Sequence, residues 1–550
     1  MSHLSPHPQC GVCTDLILRH ERVIALIGND DSTSYRGQTR LFLFPGQWAN
    51  SPQFIPIHHE CFNIFQHYID SVDALDSLHR LWTAAAWRSP WRGARPIHFM
   101  GDRPDTYSLK ALAQICQLSQ LCNLPPELLS MIQGYSEHAL FWRAISAHSL
   151  AARVSSGSPE PLSTMPLCDI LFWKRGGKPE IRHDDPPPCV PTMRLTIDSD
   201  GISQIERISN GPSEDKSRVG FAYIVEQEQA LAQCAAQFKD GLLQLVLPCG
   251  QPAPRIWNTP NPPESSLCRL YIIRAYPSWP RFFAIDTGTI TGITFFFSSA
   301  RPFGIHPHYS STSDAMRTYC RFPNRRRRGI VWIYQPITKH DRVLALGVRK
   351  SLQGELSILM RTEYSGDVTI GSYISGPARD RCLGWYPPIT LIYNEPIEGQ
   401  EISFLGASHG PSSGMELPKP FAVGRLRSNP VGEHAYFSMA PLKDVASAEV
   451  FYDEDSQSCR GIMFRYHDGT CRAVGQCRVH VDATKWVYRP SRLCYRIDTH
   501  EHFRQVVYSL RMMLQEGPHH QDSEGWSCHE LDGMLNFWFT PDSSFIDIES

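Results

Sequence analysis

Along residues 64–81 apolar side chains recur at three- and four-residue steps: Ile64, Phe65, Tyr68, Ile69, Val72, Leu75, Leu78 and Leu81. That spacing puts them on one face of a long helix. Two more helical patterns follow, over 108–121 and over 125–154, the second as two short helices. Asn123 suits a cap, and Pro125 or Pro126 suits a first helical turn. After Thr192 the period falls from about 3.6 to 2. Leu195 and Ile197 alternate in MRLTID, Ile293, Phe295 and Phe297 in GITFFF, Ile330, Trp332 and Tyr334 in GIVWIY, and Ile462, Phe464 and Tyr466 in GIMFRY.

Short strands broken by Gly, Pro, Asn and Asp clusters predict sandwich, barrel or prism architecture. The run GIMFRYHDGTCRAVGQC reads as a hairpin, with Asp468-Gly469 in a tight type I′ turn. Helical inserts are expected at 227–239 and 502–515. Gly292-Ile293, Gly461-Ile462 and Gly533-Met534 form a weak internal echo.

With the pairs Cys10-x-x-Cys13 and His58-x-x-Cys61, these patterns predict an α+β multidomain chain: a small zinc-linked, helical N-terminal part, then a mainly antiparallel β region, sandwich or prism-like. The expected boundaries are a metal-binding module with a long helix at 1–105, a helical segment at 106–155, a Pro/Gly-rich linker at 156–191 and a β-rich region at 192–550. That last region is expected to hold two sheet modules with helical inserts. The linker rests on SSGSPEPLSTMP, KRGGKPE and DDPPPCVP.

The 550 residues suit about three or four domains. Lys plus Arg number 53 against 55 Asp plus Glu, so charge gives no case for nucleic acid or an anionic membrane as main partner. The start of the chain shows no apolar signal-peptide core, and no apolar run approaches about 18 residues. The expected location is therefore cytoplasmic or nuclear, where the 17 cysteines serve mostly as thiols or metal ligands.

Cys10-x-x-Cys13 and His58-x-x-Cys61 supply three thiolates and an imidazole, the donor set of tetrahedral zinc. Each pair spans two residues, within reach of one ion, and the second pair lies at the mouth of the first helix. His59 is an alternative to His58. Four protein ligands leave no open position, so the expected zinc is structural.

The segment LPPELLSMI, from Leu124 to Ile132, followed by ALFWRAIS, resembles the start of an F-box. That resemblance implies that Leu124, Pro125, Leu128, Ile132 and Trp142 contact a Skp1-like ubiquitin-ligase subunit, while the β-rich region recognises a client protein. IHHECFNIF, LPPELLSMI, GITFFFSSARPFGIHPH, WIYQPITKHDRVLALGVR, ILMRTEYSGDVTIG and CRGIMFRYHDGTCRAVGQCRVHVD carry a wider resemblance, to uncharacterised F-box-like proteins of filamentous fungi. These join a CxxC…HxxC segment to a long β-rich region, and the resemblance implies architecture without an activity.

A different class of function is a carbohydrate- or other ligand-binding, lectin-like protein. The run from Asp341 to Gly410 is faintly similar to jacalin-type prism repeats. No catalytic residue is assigned. Gly406-Ala-Ser408-His-Gly410 matches GxSxG, but a nucleophile elbow needs a following helix and PSSGMELPKP is a poor one. His306-Pro-His308 reads as surface polarity, and Arg325 to Arg328 as a charged loop guarding the strand GIVWIY.

Overall fold

A computed structural model describes residues 9–18, 21–29, 35–42, 54–69, 74–94, 97, 99, 105–136, 139–156, 160–182, 192–208, 220–274, 281–310, 314–395, 400–408, 418–422, 429–432, 434–502, 505–515 and 525–549. Strand accounts for 47% of the chain and helix for 18%, so the β-rich α+β class expected from the sequence holds. The chain divides into two compact units, Met1–Pro262 and Pro263–Ser550.

The first unit opens with an antiparallel sheet in which Arg22–Gly28 lies between Tyr35–Phe42 and Phe54–His58. Five helices follow: α1 (His59–His67), α2 (Ala74–Ala86), α3 (Thr106–Ile115), α4 (Pro126–Tyr135) and α5 (Leu140–Ser156). The single long helix expected over 64–81 is two helices, α1 ending at His67; Val72 lies outside the described residues. Both keep the apolar face. Phe62 and Phe65 of α1 and Leu81 and Trp82 of α2 share a core with Ala147, Leu150, Ala151 and Val154 of α5. The Asp105 carboxylate caps α3 by accepting the Ser108 N–H at 2.8 Å.

The rest of this unit is β. Ile256–Trp257, Ala222–Gln227, Thr192–Asp198, Gly201–Ile208, Ile170–Lys174 and Glu180–Ile181 lie side by side in that order. Ser163–Pro166, Ala235–Lys239 and Leu242–Val246 form a further sheet. The linker expected over 156–191 is therefore not one: 163–166 and 170–174 pair into sheets, Leu167, Ile170 and Trp173 are core residues, and 183–191 lies outside the described residues. Pro and Gly there mark turns between short strands.

Contacts within the first unit explain why it extends to residue 262. Gln244 Nε2 donates to the carbonyls of Ala86 and Ser89 at 3.4 and 3.1 Å, and the Leu245 N–H donates to the Pro90 carbonyl at 2.8 Å. Asp200, in the turn between 192–198 and 201–208, pairs with Arg153 of α5 and lies 3.6 Å from the buried Arg88. Burial opposes ionisation of Asp200, but Arg153, Arg88 and Arg175 outweigh it and hold its carboxyl well below the usual range.

A depressed carboxylate contributes stability above its unfolded value of about 4 and loses it as pH falls toward the folded value. Asp200→Asn leaves Arg88 buried without its counter-charge and is expected to cost on the order of 3 kcal/mol. It should also flatten the acid limb of the unfolding profile. Denaturant unfolding at pH 7 and pH 4 checks both, and a variant as stable as wild type at pH 7 refutes the pairing.

In the second unit Cys268–Ile272, Phe404–Ser408, Thr390–Asn394 and Phe282–Asp286 form one antiparallel group. Two four-stranded sheets share one topology. Val343–Ser351, Leu356–Thr362 and Gly366–Gly371 form a meander, with Ala378–Trp385 on the far side of the first strand. Val445–Tyr452, Cys459–Tyr466, Cys471–Gly475 and Ala483–Tyr488 repeat that order. Each first strand carries a bulge at its start, between Val343 and Ala345 and between Val445 and Ser447. This repetition differs from the sequence echo: Gly292–Ser298 and Met534–Phe539 each lie in the middle of a three-stranded sheet, whereas Gly461 sits within a meander. A core running from Ile285 to Ile546 joins these sheets.

Two expectations about local structure need correction. The hairpin at 459–475 forms, but only Gly469 of the turn has positive φ, at 83°, and the Asp468 carboxylate accepts the Thr470 N–H. A type I′ turn needs two positive φ values, so this is a longer loop closed by its glycine. Of the helical inserts, the first is one 3-10 turn, Glu228–Leu231, followed by the strand Ala235–Lys239, and the second is the strand Gln505–Gln515. In the latter Leu510, Met512 and Leu514 are buried and Arg511 and Met513 exposed, a period of 2 that outweighs the helix propensity of Leu, Met and Gln. Cys494 and Cys528, opposite each other on adjacent strands, form a disulfide, while the other 14 described cysteines form none, in line with cysteines serving mostly as thiols or metal ligands.

Candidate metal centre

Val23 pairs with His58 across the first sheet, so the strand Phe54–His58 delivers His58 to a fixed point. The chain then turns into α1. His58 is the residue before the first helical turn and Cys61 lies within that turn. The Cys10–Cys13 loop is a tight turn: the Thr14 N–H donates to the Cys10 carbonyl at 3.0 Å, and the Cys10 N–H to the Asp15 carbonyl at 2.9 Å. The Gly11 N–H donates to the Pro56 carbonyl at 2.8 Å and pins that turn to the strand bearing His58. Only glycine fits there, because a Cβ would come within 2.4 Å of Ile55 Cγ2 and 2.9 Å of Ala85 Cβ.

The result is a buried cluster in which the ligand atoms of Cys10, Cys13, His58 and Cys61 lie within 4.8 Å of one another. His58 Nδ1 is 3.4 Å from Cys13 Sγ and 3.7 Å from Cys61 Sγ. Cys10 Sγ accepts the backbone N–H groups of Val12 and His58, each at 3.4 Å, contacts that stabilise a thiolate. His59 is turned away: its Nδ1 lies 3.1 Å from Asn63 Nδ2, which settles the choice between the two histidines. Among the described residues this is the one cluster of His, Cys, Asp and Glu suited to a metal ion.

The electrostatics fit a cation. Burial opposes ionisation of Cys10, but hydrogen bonds from Cys13, Cys61 and His58 outweigh it and bring the thiol well below its ordinary range. Burial, then the neighbouring sulfurs, pushes Cys13 up; its hydrogen bond with Cys10 drives Cys61 up. One thiolate is thus favoured and two more are suppressed for want of positive charge. A divalent cation supplies that charge and releases the remaining protons.

Spacing alone does not reveal the groups behind the ligands. Glu21 Oε2 is 3.2 Å from His58 Nε2 and accepts the Leu18 N–H at 2.6 Å, while Glu21 Oε1 accepts from Arg143 Nη1 at 2.9 Å. Arg143 Nε reaches Asp15 Oδ2 at 3.3 Å. Glu21 becomes legible only once the register of Val23 with His58 is known, and Arg143 only once α5 is packed.

The five residues expected to face a partner do not stay together. Leu128 and Ile132 are 44% and 37% exposed on α4, beside Met131 at 55%. Pro125 is exposed and Leu124 half-buried. Trp142 is 7% exposed and packs against Leu109, Leu112 and Ile145, with its Nε1 donating to Ser136 Oγ at 2.8 Å. It belongs to the core beneath α4 rather than to a surface, because the α3–α5 contact needs a large apolar filler.

The other motifs are absorbed by the fold. His306 and His308 are not surface residues of a turn: both lie on the strand Arg301–His308, with His308 buried 2.8 Å from Thr294 Oγ1 and His306 Nδ1 2.8 Å from Thr318 Oγ1. Asp341 spends its carboxylate on the 362–366 turn, accepting the N–H groups of Tyr364 and Ser365 at 2.8 and 3.2 Å. Ser408 is buried at the end of a strand, and 409–417 lies outside the described residues. Among the described residues no helix is long and apolar enough to cross a membrane. No family model matches the chain, and no curated protein matches it.

Proposed function

We propose that this chain is an F-box-type adaptor: α4 docks on a Skp1-like subunit, a structural zinc ion braces the helices behind it, and the second unit recognises a client protein. The observation that carries this reading is the outward face of α4. Leu128, Met131 and Ile132, spaced as i, i+3 and i+4, stand in solvent on a short helix whose opposite side, through Leu129, packs on the α3–α5 core. Aliphatic side chains on one helical face are what a helix-in-groove partner takes up.

Zinc fits the donor set. With Zn–S near 2.3 Å and Zn–N near 2.05 Å, a tetrahedron places sulfur and nitrogen about 3.6 Å apart. The two His58–sulfur distances, 3.4 and 3.7 Å, bracket that value. Four protein donors close the shell, so the ion supplies folding energy rather than a reactive site.

On the second unit the client surface we propose is Ala483–Tyr488, the edge strand of its sheet. Trp486 and Tyr488 are exposed there with ring planes 21° apart, and Arg465 lies 4.8 Å over the indole. Trp, Tyr and Arg are the residue types in which interface energy concentrates. Trp486→Ala with Tyr488→Ala is expected to lower client capture about 30-fold, as the loss of a 2 kcal/mol anchor predicts, without lowering the melting temperature. Quantitative capture from host lysate checks this, and equal capture moves the client site elsewhere. Co-purification of the full chain with a Skp1-like protein tests the adaptor role: correctly folded protein that retains none ends it.

A further inference from the structure

The metal ligands sit on the first sheet and α1, but the groups behind them do not. His58 turns Nδ1 toward the sulfurs, and its buried Nε2 comes within 3.2 Å of Glu21 Oε2, an ion-pair distance rather than an aligned hydrogen bond. Glu21 is in turn gripped by Arg143, a buried residue of α5. The next residue along α5, Trp142, donates through Nε1 to Ser136 Oγ at the end of α4, and that hydroxyl donates to the Ile132 carbonyl at 2.5 Å. Polar contacts on either side of one backbone step, Arg143 to Trp142 on α5, thus link the imidazole ligand to the helix carrying Leu128 and Ile132.

We infer that Glu21 and Arg143 are positioning residues for the metal, and that through them metal occupancy controls the order of α5 and α4. This rests on the zinc reading above. With the ion in place, His58 is held as a neutral ligand through Nδ1, and Glu21 is fixed between it and Arg143. Without the ion the three sulfurs no longer hold the ring, Glu21 loses one of its anchors, and Arg143 is left with a partner free to move. Linkage makes the effect reciprocal: whatever orders α4 from outside, a docked partner included, tightens metal binding by the same factor.

The test uses the full chain and zinc itself. Chelator competition should show zinc affinity reduced 10- to 100-fold in Glu21→Gln and in Arg143→Met, the range typical of lost outer-shell contacts. Arg143→Lys, which keeps the charge but not the two-pronged grip, should fall between. Leu140→Ala, exposed on the same helix, should match wild type. Cobalt substitution should give the same visible spectrum in every variant, because the four ligands are unchanged.

Hydrogen exchange supplies the second reading. Removing zinc from wild type should speed exchange in 126–135 and 140–156 and leave 343–385 unaltered. Arg143→Met at saturating zinc should speed exchange in 126–135 and 140–156. Wild type that takes up no zinc overturns the metal site and the coupling together. Zinc-loaded wild type with Glu21→Gln and Arg143→Met equal to it in affinity and exchange overturns the coupling while leaving the metal site standing.

Discussion

Purified wild-type chain is expected to carry about one zinc, and Cys13→Ser almost none. Cys13 is buried with no solvent to replace its sulfur, and its Sγ lies 3.4 Å from the imidazole nitrogen that shares the ion. A hydroxyl is a poor substitute for a thiolate, and the remaining three donors leave the shell open. Apparent binding of structural zinc is worth on the order of 10 kcal/mol, comparable to the entire net stability of a domain at about 5–15 kcal/mol.

Loss of the ion should therefore unfold the region around the first sheet and α1. Among the described residues, helices longer than four residues are confined to 59–156, so far-UV circular dichroism separates the outcomes: the helical component falls while the β component of the second unit persists. Metal analysis after gel filtration gives the direct answer. Equal zinc in wild type and Cys13→Ser refutes the site, and a loss of metal without loss of helix refutes its structural role.

The metal ligands were legible because two-residue spacing in both pairs is a local constraint that survives without knowledge of the fold. The outer groups were not, since Glu21 and Arg143 are 122 positions apart and meet only through the sheet register and the packing of α5. The same distinction runs through the fold. The apolar and aromatic runs GITFFF and GIMFRY identified strands, although both faces of the first are buried and only Arg465 of the second is exposed. QVVYSLRMMLQ misled because its residues favour helices when isolated, whereas in the fold it pairs along its whole length with the strand Arg492–His502. The false linker has a similar origin: Pro and Gly mark chain reversals equally in a loop and between the short strands at 163–182. Trp142 shows the limit most sharply, because periodicity assigns it to an apolar stripe but cannot say which element covers that stripe.

That distinction sets the last expected result. Leu128→Asp with Ile132→Asp should abolish capture of a Skp1-like partner and leave the free protein as stable as wild type, within about 0.5 kcal/mol. Both side chains already stand in water, so a carboxylate costs the free chain little, whereas at the centre of an interface each is an anchor worth about 2 kcal/mol. The pair together predicts a loss of roughly 1,000-fold. Trp142→Ala should behave in the opposite way. It removes the filler between α3 and α5 and the Nε1 bond to Ser136, and is expected to cost about 3–5 kcal/mol of stability, with any loss of binding following from unfolding. Thermal melts set beside pull-downs read the two effects separately. If Leu128→Asp with Ile132→Asp melts early, α4 is covered by its own chain and has no face to offer. If it folds normally and still captures the partner, docking occurs elsewhere, and the exposed stripe on α4 has another use.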